Sequence, residues 1–284
     1  MVTVFALAAA LLYGSADFLG GSAARRADPL VVLAVATPLG ALVMLGAALV
    51  AGGPILLGGL GWAVAGGIVG AFGLIVFYKG LAIGPMSVVA PVSAMVSTLL
   101  PVGVALAMGE RQHTSVYVGA LACVASIVLL SMEGGPRGPS ALRNGTMARA
   151  AGYGAVSGLA FGLFFLFLRM AGESGVLWPV TAGRLAGTAV MLGAAAWCGA
   201  MPHRLVNRPG VLLAASVAGV VDASANLCYV LATRAGLFGM AVILTSLYPG
   251  MTVLLARFVL GERMQPVQRL GLLLAAGGVV LVTI

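Results

Sequence analysis

Charge is the scarcest commodity in this sequence. Of 284 residues only 8% are Asp, Glu, Lys or Arg, against about 25% in a soluble domain. A chain that is 61% hydrophobic, with mean hydropathy +1.13, cannot make a water-facing surface of ordinary size. Its solvent is therefore lipid. There are three cysteines, Cys123, Cys198 and Cys228, all inside apolar runs, which argues against a disulfide framework and a zinc site. The two histidines, His113 and His203, fall in expected loops, so bis-histidine haem ligation inside the membrane is excluded. No metal and no cofactor are expected. A Gly-x4-Gly-Lys-Ser/Thr loop is lacking, which argues against an ATP-driven pump built from this chain alone. No two acids sit within a few positions of one another in an apolar segment. Metal-dependent transferase chemistry on lipid-linked substrates needs such clusters, so the chain is not expected to be an enzyme. That class remains an alternative, as does a channel or sensor without a transport cycle.

Basic residues are present, with a net charge of +8, but the arginines stand singly between apolar runs. They read as topology signals and headgroup contacts rather than a nucleic-acid surface. The first residues, "MVTVFALAAALLYGSADFLGG", lack a basic leader and read as a retained first span. Glycine is abundant, at 42 residues, about twice the usual share. In apolar spans small residues let helices approach closely.

A helix needs about 20 apolar residues to cross the hydrocarbon. Ten segments qualify: 2–24, 30–50, 60–82, 86–108, 115–132, 150–170, 176–200, 211–233, 238–260 and 266–284. The longest polar stretch, "EGGPRGPSALRNGTMAR" at 133–149, leaves five spans on each side. This divides the chain into 1–132, a linker at 133–149, and 150–284.

The halves also repeat. "YKGLAIGPMSVVAPVSAMVSTLLPVGVALAMGER" from Tyr78 aligns, with one residue inserted, to "YVLATRAGLFGMAVILTSLYPGMTVLLARFVLGER" from Tyr229. Towards the front, Gly14 matches Gly158 and Gly40 matches Gly187. Five crossings is an odd number, so the second copy enters the membrane upside down. Inverted repeats of this kind place a substrate site near the midplane between the halves. The expected fold is all-α, with ten transmembrane helices as two inverted five-helix repeats.

The Ser-Val-Val-Ala-Pro stretch at 87–91, the twice-occurring Gly-Glu-Arg, and the openings "YGSADFLGG" and "WPVTAGRLAG" resemble the drug/metabolite transporter superfamily. The match is to ten-span members with two EamA-type repeats and covers essentially the whole chain. The resemblance implies a gradient- or proton-driven carrier, an exporter of amino acids and other small metabolites, in a bacterial-type cytoplasmic membrane. Partners expected on this basis are a small-molecule substrate, the lipid bilayer and protons, with the chain a monomer or a homodimer. The second copy lacks prolines where Pro85 and Pro91 stand in the first, so any helix break is expected to be asymmetric.

Inside the spans a few polar residues demand explanation. Asp222 lies at the centre of the eighth, where an ionised acid facing hydrocarbon costs about 2.5–3.5 kcal/mol. Asn226 follows one turn later on the same face. The pair reads as a proton-coupling or substrate-amine site, or as an interhelical hydrogen-bond anchor. Asp17 in the first span sits among small residues, Gly14, Ser15, Ala16, Gly20 and Gly21. It reads as a cavity residue or as a partner of Arg25 and Arg26. Arg184 in the seventh span cannot shed its proton and needs an acid. Asp222, on the next helix, is the expected one, a pairing that would make Asp222 a poor proton carrier or part of a gate.

Tyr78 and Tyr229 correspond across the repeats and are candidate cavity walls, or interfacial belt residues. Lys79 reads as a snorkelling side chain. Pro91 and Pro101 in the fourth span and Pro249 in the ninth, like Pro38 in the second, remove helix hydrogen bonds. The fourth and ninth spans are therefore expected to be paired, bendable cavity helices, with Ser93, Ser97, Thr245, Ser246 and Tyr248 supplying hydroxyls. Gly154, Gly158 and Gly162 form a small-residue stripe for tight packing. Glu110-Arg111 and Glu262-Arg263 read as span-end fasteners.

Loops after odd-numbered spans carry most of the arginines, among them Arg25, Arg26, Arg137, Arg204 and Arg208. The positive-inside rule then puts both termini outside, whereas the family resemblance implies termini inside.

Overall fold

Long apolar runs with no water to satisfy their peptide groups have few structural solutions, of which the α-helix is one. A computed structural model describes residues 1–52, 57–84, 86–108, 114–131, 140–171, 177–200, 202–205, 207–236, 238–260 and 266–283, and there is no strand among them. The helices are α1 (Val2–Ala24), α2 (Pro29–Ala51), α3 (Leu60–Ile83), α4 (Met86–Ala107), α5 (Thr114–Ser131) and α6 (Ser140–Ala171). They continue as α7 (Leu177–Trp197), α8 (Pro209–Ala235), α9 (Phe238–Thr245), α10 (Tyr248–Leu260) and α11 (Pro266–Thr283). With α9 and α10 sharing the ninth span, these are ten crossings. α1, α2, α3, α8 and the Ala148–Ala171 part of α6 are long and apolar enough to cross a membrane by themselves.

Local chemistry explains the ends. The Asp28 side chain accepts from the Leu30 N–H at 2.8 Å and Pro29 opens α2, a side-chain cap followed by a residue whose fixed φ suits a first turn. Pro209 likewise opens α8, there without a side-chain cap. Gly52 and Gly199 follow α2 and α7 at φ +65, a conformation that glycine reaches without strain. Large apolar side chains such as Leu42, Phe72, Leu121, Leu213, Phe258 and Leu273 point outward, which is what a lipid-facing surface requires.

The sixth helix begins at Ser140, and its apolar spanning part, Ala148–Ala171, falls where the sixth span is expected. The fourth span is not the broken one. The backbone of α4 runs uninterrupted through Pro91 and Pro101, whereas the ninth span breaks at Ser246 and Leu247. Pro249 has no N–H to give the Thr245 carbonyl, and the chain there tightens. Leu247 N donates to Leu244 O at 3.4 Å and Gly250 N to Leu247 O at 2.9 Å. Asymmetry is present, with the break in the half that has fewer prolines. Pro85, Glu110-Arg111, Glu262-Arg263 and His113 lie outside the described residues.

Packing repeats across the halves. α1 packs most extensively on α8, and its counterpart α6 on α3. α4 lies along α6 as α9 and α10 lie along α1, and α3 meets α7 as α8 meets α2. α2 with α7, α5 with α11, and α4 with α9 and α10 are self-paired contacts. Glycines enforce the register. Gly14 abuts Tyr248, Met251 and Thr252, and its counterpart Gly158 abuts Ser93 and Val96. Gly40 meets the Gly219 carbonyl and Ala223, and its counterpart Gly187 meets the Gly67 carbonyl and Ala71. The stripe Gly154, Gly158 and Gly162 lies against successive turns of α4. Among the described residues the main interfaces between the halves thus have their images, the signature of a pseudo-two-fold axis. With five crossings per half, that axis lies in the membrane plane and the repeats are inverted.

The Arg208 guanidinium donates to the Arg26 carbonyl. The α1–α2 turn and the start of α8 therefore share one end of the bundle, as alternating crossings require.

Candidate functional site

The polar groups buried in the spans converge on one place. On α8, Asn226 Nδ2 donates to the Asp222 carbonyl at 2.9 Å, which turns the amide oxygen towards α1. There Tyr13 donates its hydroxyl to Asn226 Oδ1 at 2.8 Å. From α7 the Arg184 guanidinium reaches the Asp222 carboxylate in a direct ion pair. Two threonine latches fix the rotation of α7: Thr181 Oγ1 donates to Met44 O at 3.1 Å and Thr188 Oγ1 to Thr37 O at 3.2 Å. They lie three residues before and four after Arg184, so the guanidinium is presented to α8 and not to lipid.

Asp17, one turn beyond Tyr13 on α1, completes the set. Asp17, Arg184, Asp222 and Asn226 line a cavity of about 100 Å³ between the halves. No hydrogen bond or ion pair reaches the Asp17 carboxylate from the described residues, Arg25 and Arg26 included. Tyr13, Tyr248, Phe161, Phe164 and Phe165 wall the same space. Tyr13 meets Phe165 edge-on at 6.0 Å between centroids and Tyr248 at 6.3 Å. Gly66, Gly67 and Gly70 on α3 line it too, Gly66 and Gly70 lying against Phe164 and Gly67 against the Gly183 backbone.

The two-fold frame accounts for where the cavity lies. By the glycine register, Asp17 corresponds to Phe161, Arg184 to Thr37, Asp222 to Gly70 and Asn226 to Leu74. All eight positions line the cavity. One set is polar and its image is nearly apolar, so a symmetric scaffold carries asymmetric chemistry.

The remaining candidates divide. Tyr248, at the start of α10, lines the cavity. Ser157 Oγ lies 3.2 Å from Ser93 Oγ, so these hydroxyls link α4 and α6 behind the wall. Ser93 is thus support and not lining. Ser97 and Ser246 are spent on their own helices, donating to Ala94 O at 3.1 Å and Ile243 O at 2.7 Å. Tyr78 was expected as a cavity wall but is buried against α1, where only the absent side chain of Gly20 makes room for it. Tyr229, expected as its equivalent, packs at a tilt on Phe165 with 4.6 Å between ring centroids, and its buried hydroxyl finds no partner among the described residues. Lys79 is exposed at the end of α3, as a snorkelling side chain should be. Tyr13, Thr37 and Thr188 were not singled out from the sequence. Tyr13 carries a readable signal, since it stands four residues before Asp17 and so shares its face.

A model described as the EamA-like transporter family matches residues 1–132 and 148–284. The chain belongs to that family. This EamA-like transporter is accordingly a multi-pass integral membrane protein that moves small molecules. No curated protein sequence matches it. One solved crystal structure superimposes with a TM-score of 0.74, at 18% sequence identity, covering 99% of this chain and 96% of that one. At that identity the likeness speaks for the fold. The cavity of this EamA-like transporter is well below the 300–1,000 Å³ usual for small-molecule sites, so its walls stand drawn together around the polar groups.

Proposed function

We propose that this EamA-like chain is a proton-coupled secondary transporter of a bacterial-type cytoplasmic membrane, exporting small metabolites by alternating access. The supporting observation is the Asp17 carboxylate, which lines the cavity between the halves with no partner among the described residues. A bare carboxylate at this depth is costly, and water, a proton or a substrate cation entering the cavity relieves that cost. Asp222 is already held by Arg184, so the exchangeable acid in this reading is Asp17. Asp222, Arg184, Asn226 and Tyr248 shape the space around it. The inverted units are 1–132 and 150–284, joined through 133–149. Because the main interfaces have images across the two-fold, exchanging the conformations of the two units yields a second arrangement of similar packing energy. That is the physical requirement for opening to either side.

The test is flux in proteoliposomes with an imposed pH gradient, using radiolabelled leucine and isoamylamine as probes. The wild type should move at least one of them against its concentration gradient. Asp17→Asn should abolish gradient-driven accumulation while remaining folded. Gradient-driven accumulation at the wild-type rate in Asp17→Asn would remove Asp17 from the mechanism.

A further inference from the structure

Resting on the transport reading, we infer that the cavity selects small monocationic amines with an apolar body over zwitterions of the same shape. The argument is one of charge. The ionisable lining groups comprise the acids Asp17 and Asp222 and one base, Arg184. Arg184 is committed to Asp222, and Thr181 and Thr188 hold its helix in place on either side. With both acids ionised the cavity holds one uncompensated negative charge, at Asp17. A single ammonium group satisfies it.

The walls favour the same ligand. Tyr13, Tyr248 and three phenylalanines surround the acids. Aromatic faces accept a cation as well as an apolar chain. A substrate carboxylate fares differently. Its available cation is Arg184, and taking it strips Asp222 of its partner. Either the incoming carboxylate or Asp222 is then left desolvated without a counter-charge, an expensive state. The free carboxylate of an amino acid is thus a liability here, and masking it removes the penalty.

Leucine and leucinamide make the comparison with almost no change of shape, and isoamylamine omits the group altogether. Binding is measured by calorimetry on the full chain in nanodiscs at pH 7. Leucinamide and isoamylamine should bind at least about tenfold more tightly than leucine. Asp17→Asn should level the three ligands, and Asp17→Glu, which keeps the charge, should retain the preference even if the amide variant folds poorly. Leucine binding as tightly as leucinamide, or none of the three binding, overturns the proposal. The preference is read without flux, so the two readings fail separately. Amine preference with no gradient-driven flux refutes transport alone, and flux with leucine preferred refutes amine selection alone.

Discussion

The glycine seams give the sharpest energetic test of the two-fold frame. Gly40 on α2 and Gly187 on α7 are images of one another, each facing a glycine carbonyl on its partner helix. A Cβ added at Gly40 would lie 2.6 Å from Gly219 O, and one at Gly187 would lie 2.9 Å from Gly67 O. Ordinary contact begins near 3.4 Å, so the helices must separate by about 0.8 Å at the first site and about 0.5 Å at the second. The obstacle is backbone and cannot rotate away. Overpacking of this kind costs about 1–3 kcal/mol, only partly offset by up to about 1 kcal/mol of helix propensity gained on replacing glycine by alanine. Gly46 on α2 and Gly193 on α7 are the controls, since a Cβ there meets nothing within 4 Å. Melting in detergent, followed by light scattering and near-UV circular dichroism, should show Gly40→Ala and Gly187→Ala lowering Tm, Gly40→Ala by more. Gly46→Ala and Gly193→Ala should hold or raise it. If Gly40→Ala and Gly187→Ala prove as stable as the controls, the α2–α8 and α3–α7 seams are not packed as described.

Two further outcomes follow from the site and the loops. Asp222→Asn leaves the Arg184 guanidinium without its anion and should destabilise the protein by about 3–5 kcal/mol, whereas Arg184→Met/Asp222→Leu should recover most of the loss, because removing both charges removes the burden. A double variant as unstable as the single one would mean that the pair is not an isolated unit. Cys198, exposed after α7, belongs to the loops that the arginine distribution places in the cytoplasm. In a Cys123→Ser/Cys228→Ser background, an impermeant maleimide should therefore miss Cys198 in intact spheroplasts and label it after permeabilisation. Labelling in intact spheroplasts would put the termini inside.

Much of the architecture could be read from residues because duplication and lipid leave regular marks. Gly14 and Gly158, like Gly40 and Gly187, were alignable before any contact was known, and they prove to be paired packing points. Asp222 and Asn226 share a face by helical spacing alone, and a guanidinium that cannot discharge points to the acid on the next helix. Side-chain direction was less accessible. Tyr78 and Tyr229 align across the repeats yet turn into packing, because Gly20 opens a slot for one and Phe165 offers a ring to the other. The same limit applies to the ninth span, where two residues before a proline break the helix while α4 absorbs two prolines without interruption. These outcomes depend on neighbours in space, which spacing along one chain does not encode.

The central claim is that the acid on α1 faces water between the halves and not acyl chains. A thiol reacts with methanethiosulfonate reagents only where water lets it ionise. With the native cysteines replaced, Asp17→Cys in proteoliposomes should be modified rapidly by 2-aminoethyl methanethiosulfonate, while Leu213→Cys, on the outward surface of α8, should not react. Equal inertness at both positions, or reaction only at Leu213→Cys, would contradict the account.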